Sequence, residues 1–365
     1  MDKEALMGRF FNGKPGSRWT YDDSECFLCM TRLTDATRTR EHIFPKWLLR
    51  RHDLWRESMT LMNGTLIKYG QLTIPCCSDC NNNHLSAMEI EVSNAFEAGY
   101  EGVQSLDRRT LFSWLAKIFY GLLVKERHIL LDRRSQSGES ILSDADLDRF
   151  AMHHLLMQSV RGDVVWSSEE NPWSIFLLKC QTSETPSLNF DYIDSNHIPF
   201  LSIRVGEVAV VASLQDWGYL ETGVEFRHMV AARQLELHPY QFKELALVAC
   251  YTSMLFFRDR DHMLLSGHGQ TTILPLPFPD RTTLNIKDPK LLHLASDFSL
   301  HFRTPRKYLV EGNRMISTLA GDDGAPWNMP WDGTNGFPML SVHALDSDGR
   351  PILPRSVDDL KNAES

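Results

Sequence analysis

The sequence predicts an α+β protein: a small N-terminal zinc-stapled module over residues 1–100, then a larger mixed helical and β region over residues 101–365. Three observations point there. Two Cys-x-x-Cys pairs, Cys26/Cys29 and Cys77/Cys80, fall within one short region. Apolar residues recur at helical spacing after the second pair and again over 109–130. From about residue 175 the pattern changes to short β-rich runs.

A chain of 365 residues is a soft prior for about two domains. It is long enough to bury a core without a staple. The net charge of -9 leaves the class of partner open, because positive charge can be concentrated locally. Seven cysteines, four of them in paired spacing, do not read as a secreted disulfide framework. The start, Met1 to Met7, lacks the apolar run of a signal peptide. No stretch approaches the roughly 18 uninterrupted apolar residues of a membrane span. A soluble, cytoplasmic protein with no membrane partner is expected.

Residues 1–20, with Gly8, Gly13, Pro15 and Gly16, read as a loosely structured lead-in. Thr37 to Ile43 fits a short strand, and Pro45 suits the first turn of a helix through Trp47, Leu48 and Leu49. Met59–Met62 and Thr65–Tyr69 flank Asn63-Gly64, a strong hairpin-turn signal. Leu72 to Pro75 leads into the second cysteine pair. A helix is expected from Asn81 to about Ala98, its apolar stripe formed by Leu85, Met88, Val92 and Phe96. On that helix Asn81 faces inward, His84 flanks it, and Asn82 and Asn83 point away.

Residues 109–130 read as a second, broadly buried helix. Ser135 to Ser140 reads as a loop and Leu147 to Ser159 as a helix. Strands are expected at Ile175–Leu178, Phe200–Val205 and Val208–Ala212, the last two joined by a Gly206-Glu207 turn. His238 to Phe257 is a third helix. Pro275, Pro277 and Pro279 then break regular structure, and the tail from Ala320 reads as surface loop.

Four thiolates in two pairs make the tetrahedral set of a closed structural zinc site. Either Cys76 or Cys77 could ligate, but only Cys77 keeps the two-residue gap to Cys80. Residues 30 to 76 separate the pairs, longer than in an ordinary zinc ribbon, and that insert holds Glu41-His42. A lone histidine is usually a surface or core residue. This one ends a strand, follows an acid and lies inside a zinc-clamped loop. Phosphodiester hydrolysis needs a base for water and a metal to neutralise charge. His42 suits the base, while Glu41 and Asn81 offer hard oxygen ligands for Mg²⁺ or Mn²⁺. A zinc on four thiolates has no open position, so the catalytic ion would be separate.

Cys26-x-x-Cys29, Glu41-His42-Ile43-x-Pro45 and Cys77-x-x-Cys80-Asn81-x-x-His84 together resemble the HNH, or His-Me finger, nucleases with a four-cysteine zinc site. The resemblance covers about residues 26–92. It implies a ββα-metal fold in which His42 activates water and Glu41 and Asn81 bind one divalent ion. It places His84 at the closing His of the motif, to bind metal or contact phosphate. Glu41 stands where many members carry Asp. The middle Asn of the family falls within Gly70-Gln71-Leu72-Thr73, which contains none, so either Gln71 or Thr73 orients His42 or nothing does.

Arg32, Arg38, Arg40, Lys46, Arg50, Arg51 and Arg56 outnumber the acids between residues 30 and 56. Of these, Arg38, Arg40, Lys46, Arg50 and Arg51 are expected to contact nucleic-acid phosphates; a merely solvated face is an equal alternative. Trp47 and Trp55 could stack on bases but read more readily as core. His153, His154, His262 and His268 lack Cys or acidic partners at ligand spacing and read as structural or surface residues. There is no Gly-rich phosphate loop.

The expectation is a metal-dependent endonuclease acting on double-stranded DNA, with structural Zn²⁺ and catalytic Mg²⁺ or Mn²⁺. Residues 101–365 would regulate or target it, and a homodimer or a regulatory partner protein is compatible with it. By analogy of architecture the role would be that of a bacterial defence or restriction-like effector. The competing expectation is a non-catalytic zinc module that binds nucleic acid or a partner protein. Convergence of Glu41, His42 and Asn81 on one point separates the two.

Overall fold

The computed structural model describes residues 23–61, 63–132, 138–166, 171–222, 227–256, 262–267, 269–276, 310–311, 314–315, 317–319, 326 and 328–334. The expected lead-in, Met62, His268, Pro277, Pro279, residues 135–137 of the expected loop and most of the tail lie outside them. Helices and strands are mixed along the chain. It divides into two compact units: residues 1–98, 105–172 and 260–279, and residues 99–104, 173–259 and 280–365. The first unit therefore extends beyond the residues 1–100 assigned to the module from sequence. No helix among the described residues is long and apolar enough to cross a membrane.

In the first unit, β1 (Arg38–His42) enters the inter-knuckle insert and Pro45 caps α1 (Lys46–Arg51). Pro45 has φ -56, which its ring sets in advance. A small hairpin, β2 (Ser58–Thr60) and β3 (Leu66–Lys68), follows. Its register pairs Thr60 with Leu66, so its loop is wider than the two residues the Asn63-Gly64 signal suggested. Gly64 still takes the left-handed conformation (φ +76), and the Asn63 side-chain oxygen accepts from Thr65 N at 2.9 Å. The chain returns as β4 (Thr73–Cys77), antiparallel to β1, with Arg38 opposite Cys77, Glu41 opposite Ile74 and His42 opposite Thr73.

A π-helical turn, Cys80–Leu85, then opens into α2 (Ser86–Glu97), which buries Met88, Val92, Ala95 and Phe96. Sequence periodicity anticipated the helix but not its widened first turn. The central helix is α3 (Arg108–Arg127), whose N terminus is capped by Asp107 accepting from Thr110 N at 3.0 Å. It is apolar almost all round, as a helix enclosed by its neighbours must be. Gly121 lets it approach the β1–β4 ribbon, since a Cβ there would lie 3.2 Å from both Ile43 and Ile74.

The single helix expected over 147–159 is divided into α4 (Asp144–Asp148), started by a Ser143/Asp146 capping box, and α5 (Ala151–Met157). α5 packs on the first knuckle: His154 Nε2 donates to the Phe27 carbonyl at 2.9 Å, and Gln158 donates to the Leu28 carbonyl. His153 and His154 are thus structural, as expected. Finally β5 (Val164–Trp166) pairs in parallel with the strand Gln270–Pro275, which pairs antiparallel with His262–Gly267.

The second unit is a five-stranded sheet covered by a helix. β6 (Ser174–Cys180), β7 (Phe190–Ser195), β8 (Phe200–Val205), β9 (Val208–Ser213) and β10 (Glu236–Leu237) are arranged in the order β10-β6-β9-β8-β7. Only the short β10 edge runs parallel to its neighbour. Gly206 turns β8 into β9 at φ +64, as its position between two apolar runs indicated. The core joins Phe176, Leu178 and Phe200 to Phe242, Leu245 and Ala249 of α6 (Pro239–Phe256).

Burial holds His153 down to about 3, against an ordinary histidine value of 6.5. Its neutral form is the folded form, so its contribution is present above 6.5 and is lost as pH falls. Between pH 7 and 5 the wild type should lose about 2 kcal/mol more stability than His153→Gln. Urea unfolding of the two proteins at both pH values measures this, and equal losses would contradict it.

Candidate functional site

The two knuckles meet where β1 and β4 begin and end. Met30, in the left-handed region at φ 59, closes the first knuckle as its N–H donates to the Cys26 carbonyl at 2.9 Å. Phe27 N donates to the Pro75 carbonyl at 3.0 Å, which fastens that knuckle to β4. In this way the Sγ atoms of Cys26, Cys29, Cys77 and Cys80 come to lie within 4.8 Å of one another, all buried. Cys29 and Cys77 are 3.7 Å apart, near the about 3.8 Å sulfur–sulfur edge of a tetrahedron with 2.3 Å metal–sulfur bonds. These four residues could hold a metal ion such as zinc. Cys76 sits close by, its sulfur 3.8 Å from that of Cys26, but it is not one of the quartet.

The chemistry of the donor set agrees. Hydrogen bonds from Cys26, Cys77 and Cys80 push the Cys29 thiol down, while neighbouring thiols push Cys77 and Cys80 up. Four thiols crowded into this space oppose one another's ionisation, and a bound dication is what lets them ionise together. Burial disfavours the charge of Arg161, and the Asp163 carboxylate, 3.1 Å away, favours it. Nothing in the sequence marked Arg161, which reaches this position from the turn after α5.

Beside the knuckles, an open cavity of about 450 Å³ is lined by Arg40, Glu41 and His42 of β1, Lys46 and Trp47 of α1, and Asn81, Glu89 and Asn94 of the following helix. Glu41, His42 and Asn81 are therefore brought to one cavity. The Asn81 side-chain amide donates to Thr39 Oγ1 at 2.9 Å, which ties the helix start to β1. As expected, Asn82 and Asn83 are exposed and Asn81 is half-buried.

His84 does not line this cavity; its Nε2 lies 3.7 Å from Asp79 Oδ2. Arg40 and Lys46 line the cavity and Arg50 is exposed. Arg38 donates to the Asp23 carbonyl at 2.7 Å. Arg51 stacks over the Trp47 ring at 4.9 Å and pairs with Glu97 at 3.9 Å, so it is engaged within the fold.

His42 is half-buried, its imidazole 5.6 Å from the Trp55 ring. Burial, then the charges of Lys46 and Lys117, push it below the ordinary histidine value. It is neutral at neutral pH, as a proton acceptor must be. Trp55 is 43% exposed, which corrects its reading as core. Trp47, by contrast, packs against Phe96 and Trp114. Thr73 is the residue opposite His42, and its hydroxyl accepts from Arg40 Nη1 at 3.5 Å; Gln71 is exposed in the preceding turn.

Two charged residues of this region escaped the sequence reading. Lys117 of α3, fully buried, is 2.5 Å from Glu41 Oε1 and 2.8 Å from Glu89 Oε1. Neither carries a signal at motif spacing, because their partners lie on other elements. Glu41, Glu89 and Asn81 bring hard oxygen donors to the same cavity.

Comparisons with known proteins find no matching family model, no matching curated protein and no matching solved structure.

Metal analysis of the purified chain should find one tightly held ion, zinc by donor type. Cys77→Ser should lose it and Cys76→Ser should keep it. Loss in Cys76→Ser with retention in Cys77→Ser would reverse the ligand assignment.

Proposed function

We propose that the cavity is the active site of a metal-dependent endonuclease of the HNH, ββα-metal type, acting on DNA. The observation that carries this reading is that Asn81, distant in sequence from the adjacent Glu41 and His42, lines a single cavity with them beside the cysteine quartet. The order of parts supports it: two antiparallel strands, β1 and β4, are followed directly by the helix that begins at Cys80. In this reading the quartet holds a structural zinc, and the catalytic ion belongs to Glu41 and Asn81.

His42, neutral and at the end of β1, takes the proton of a water whose oxygen attacks phosphorus. The new P–O bond forms as the bond to the leaving sugar oxygen breaks, and solvent returns a proton to that oxygen. A divalent ion, when bound, supplies charge neutralisation at the scissile phosphate. Arg40 and Lys46 face the same space and are placed to hold the nucleic-acid backbone without reading bases. Trp55, exposed beside His42, both backs the imidazole and offers a face for stacking. Gly70 makes room for that ring, since a Cβ there would lie 3.2 Å from it.

Plasmid nicking by the purified full chain with Mn²⁺ or Mg²⁺ tests this reading. His42→Ala should lower the rate by about 100-fold or more, and EDTA should abolish it. The acid limb of the wild-type pH–rate profile should lie below 6.5, because the His42 base form persists to lower pH than in a free histidine. Undiminished cleavage by His42→Ala, or no cleavage by a wild type that retains its zinc and binds DNA, would sink the nuclease reading. The latter outcome would favour a zinc module that only binds.

A further inference from the structure

Lys117 has no exposed side-chain surface, an unusual place for an ammonium. It is held by oxygens from β1, the residue after it and α2: Glu41 Oε1 at 2.5 Å, Glu89 Oε1 at 2.8 Å, the His42 carbonyl at 2.5 Å and the Ile43 carbonyl at 3.1 Å. Burial alone would strip its proton, but Glu41 and Glu89 keep it charged. Both acids also line the cavity. Burial pushes the Glu89 carboxyl up and the Lys117 ammonium pulls it back; with both acids ionised, two carboxylates share one ammonium and the cavity floor carries one net negative charge.

We propose that Lys117 is a built-in counter-cation and positioning residue of the candidate site. Its ammonium takes one charge of the Glu41–Glu89 pair and fastens Glu41 to the His42–Ile43 backbone, so that Glu89 joins Glu41 as an anionic group facing the divalent ion. The inference rests on the divalent-ion reading of the cavity. It assigns a role to Glu89 and Lys117 that the three sequence submotifs do not contain. It also sets a sign. Lys117 opposes the affinity of the cavity for a divalent cation while holding in place the groups that use it.

The test is the Mn²⁺ dissociation constant of the zinc-loaded full chain, read from the electron paramagnetic resonance of free Mn²⁺. Formal charge at the floor is one negative in the wild type, two in Lys117→Met, none in Glu89→Gln and one in the double variant. Lys117→Met should bind Mn²⁺ about tenfold tighter and Glu89→Gln about tenfold weaker, as expected for one unit charge within a few Å. The double variant should return near the wild-type value. Lys117→Met should also nick DNA more slowly in spite of its tighter Mn²⁺, a combination that a purely structural lysine does not produce.

Where Lys117→Met fails to fold, judged by zinc content and circular dichroism, the comparison of Glu89→Gln with wild type and double variant decides. Equal constants in all folded variants, or no Mn²⁺ binding by any of them, would overturn the inference. Nicking assayed in parallel separates the two claims. The expected order of constants without nicking upholds Lys117 and sinks the nuclease; nicking without that order does the reverse.

Discussion

The meeting of four cysteine sulfurs within 4.8 Å is the constraint on which the rest of the first unit depends. Residues 26–29 can reach 77–80 only if the long insert between them doubles back. It does so as β1 against β4, in a register that sets Arg38 beside Cys77 at one end and His42 beside Thr73 at the other. A slip of one residue would turn Glu41 and His42 to the opposite faces of the ribbon. The knuckles therefore do more than staple. They fix which face of β1 meets α2 and α3, and so place Glu41 against Lys117 and His42 beside Trp55.

A second constraint is electrostatic. Burying an ammonium is costly unless its geometry is good and its protons are satisfied, and removing one partner of such a group costs about 3–5 kcal/mol. Lys117 meets the condition with two carboxylates and two carbonyls. It thereby locks three elements together: β1, α2 and α3. One turn further along α3, Gly121 brings the helix against Ile43 and Ile74, and beyond it Lys125 reaches the Thr73 carbonyl at 3.5 Å. One face of a single helix thus supports the whole ribbon that carries the candidate site. Under the proposed reading, rigidity at the cavity floor is what gives a mobile substrate a fixed base and fixed ligands.

Local chemistry made much of this legible in the sequence. The cysteine spacing selected Cys77 over Cys76, Pro45 marked the start of α1, and helical phase turned Asn81 inward and Asn82 and Asn83 outward. These signals depend on neighbours within a few residues. What stayed hidden depends on distant partners. Lys117 looked like a flaw in an apolar helix because Glu41 lies far away in sequence and Glu89 on another element. Trp55 read as core because spacing alone does not tell a buried indole from one lying on a histidine. The resemblance gave His84 a contact to metal or phosphate; its ring lies near Asp79 and does not line the cavity. The second unit gave up its strands and its long helix readily, through plain apolar runs, but offered no chemistry to interpret.

The proposed function requires that Glu41 and Asn81 make a divalent-ion site next to His42, separate from the cysteine quartet. Anomalous diffraction from a crystal of the full chain soaked in Mn²⁺ tests it most directly, with data collected at the manganese and zinc edges. A zinc peak is expected among Cys26, Cys29, Cys77 and Cys80, and a manganese peak in the cavity within bonding distance of Glu41 and Asn81. Manganese absent from the cavity, or bound only at the cysteines, would contradict it.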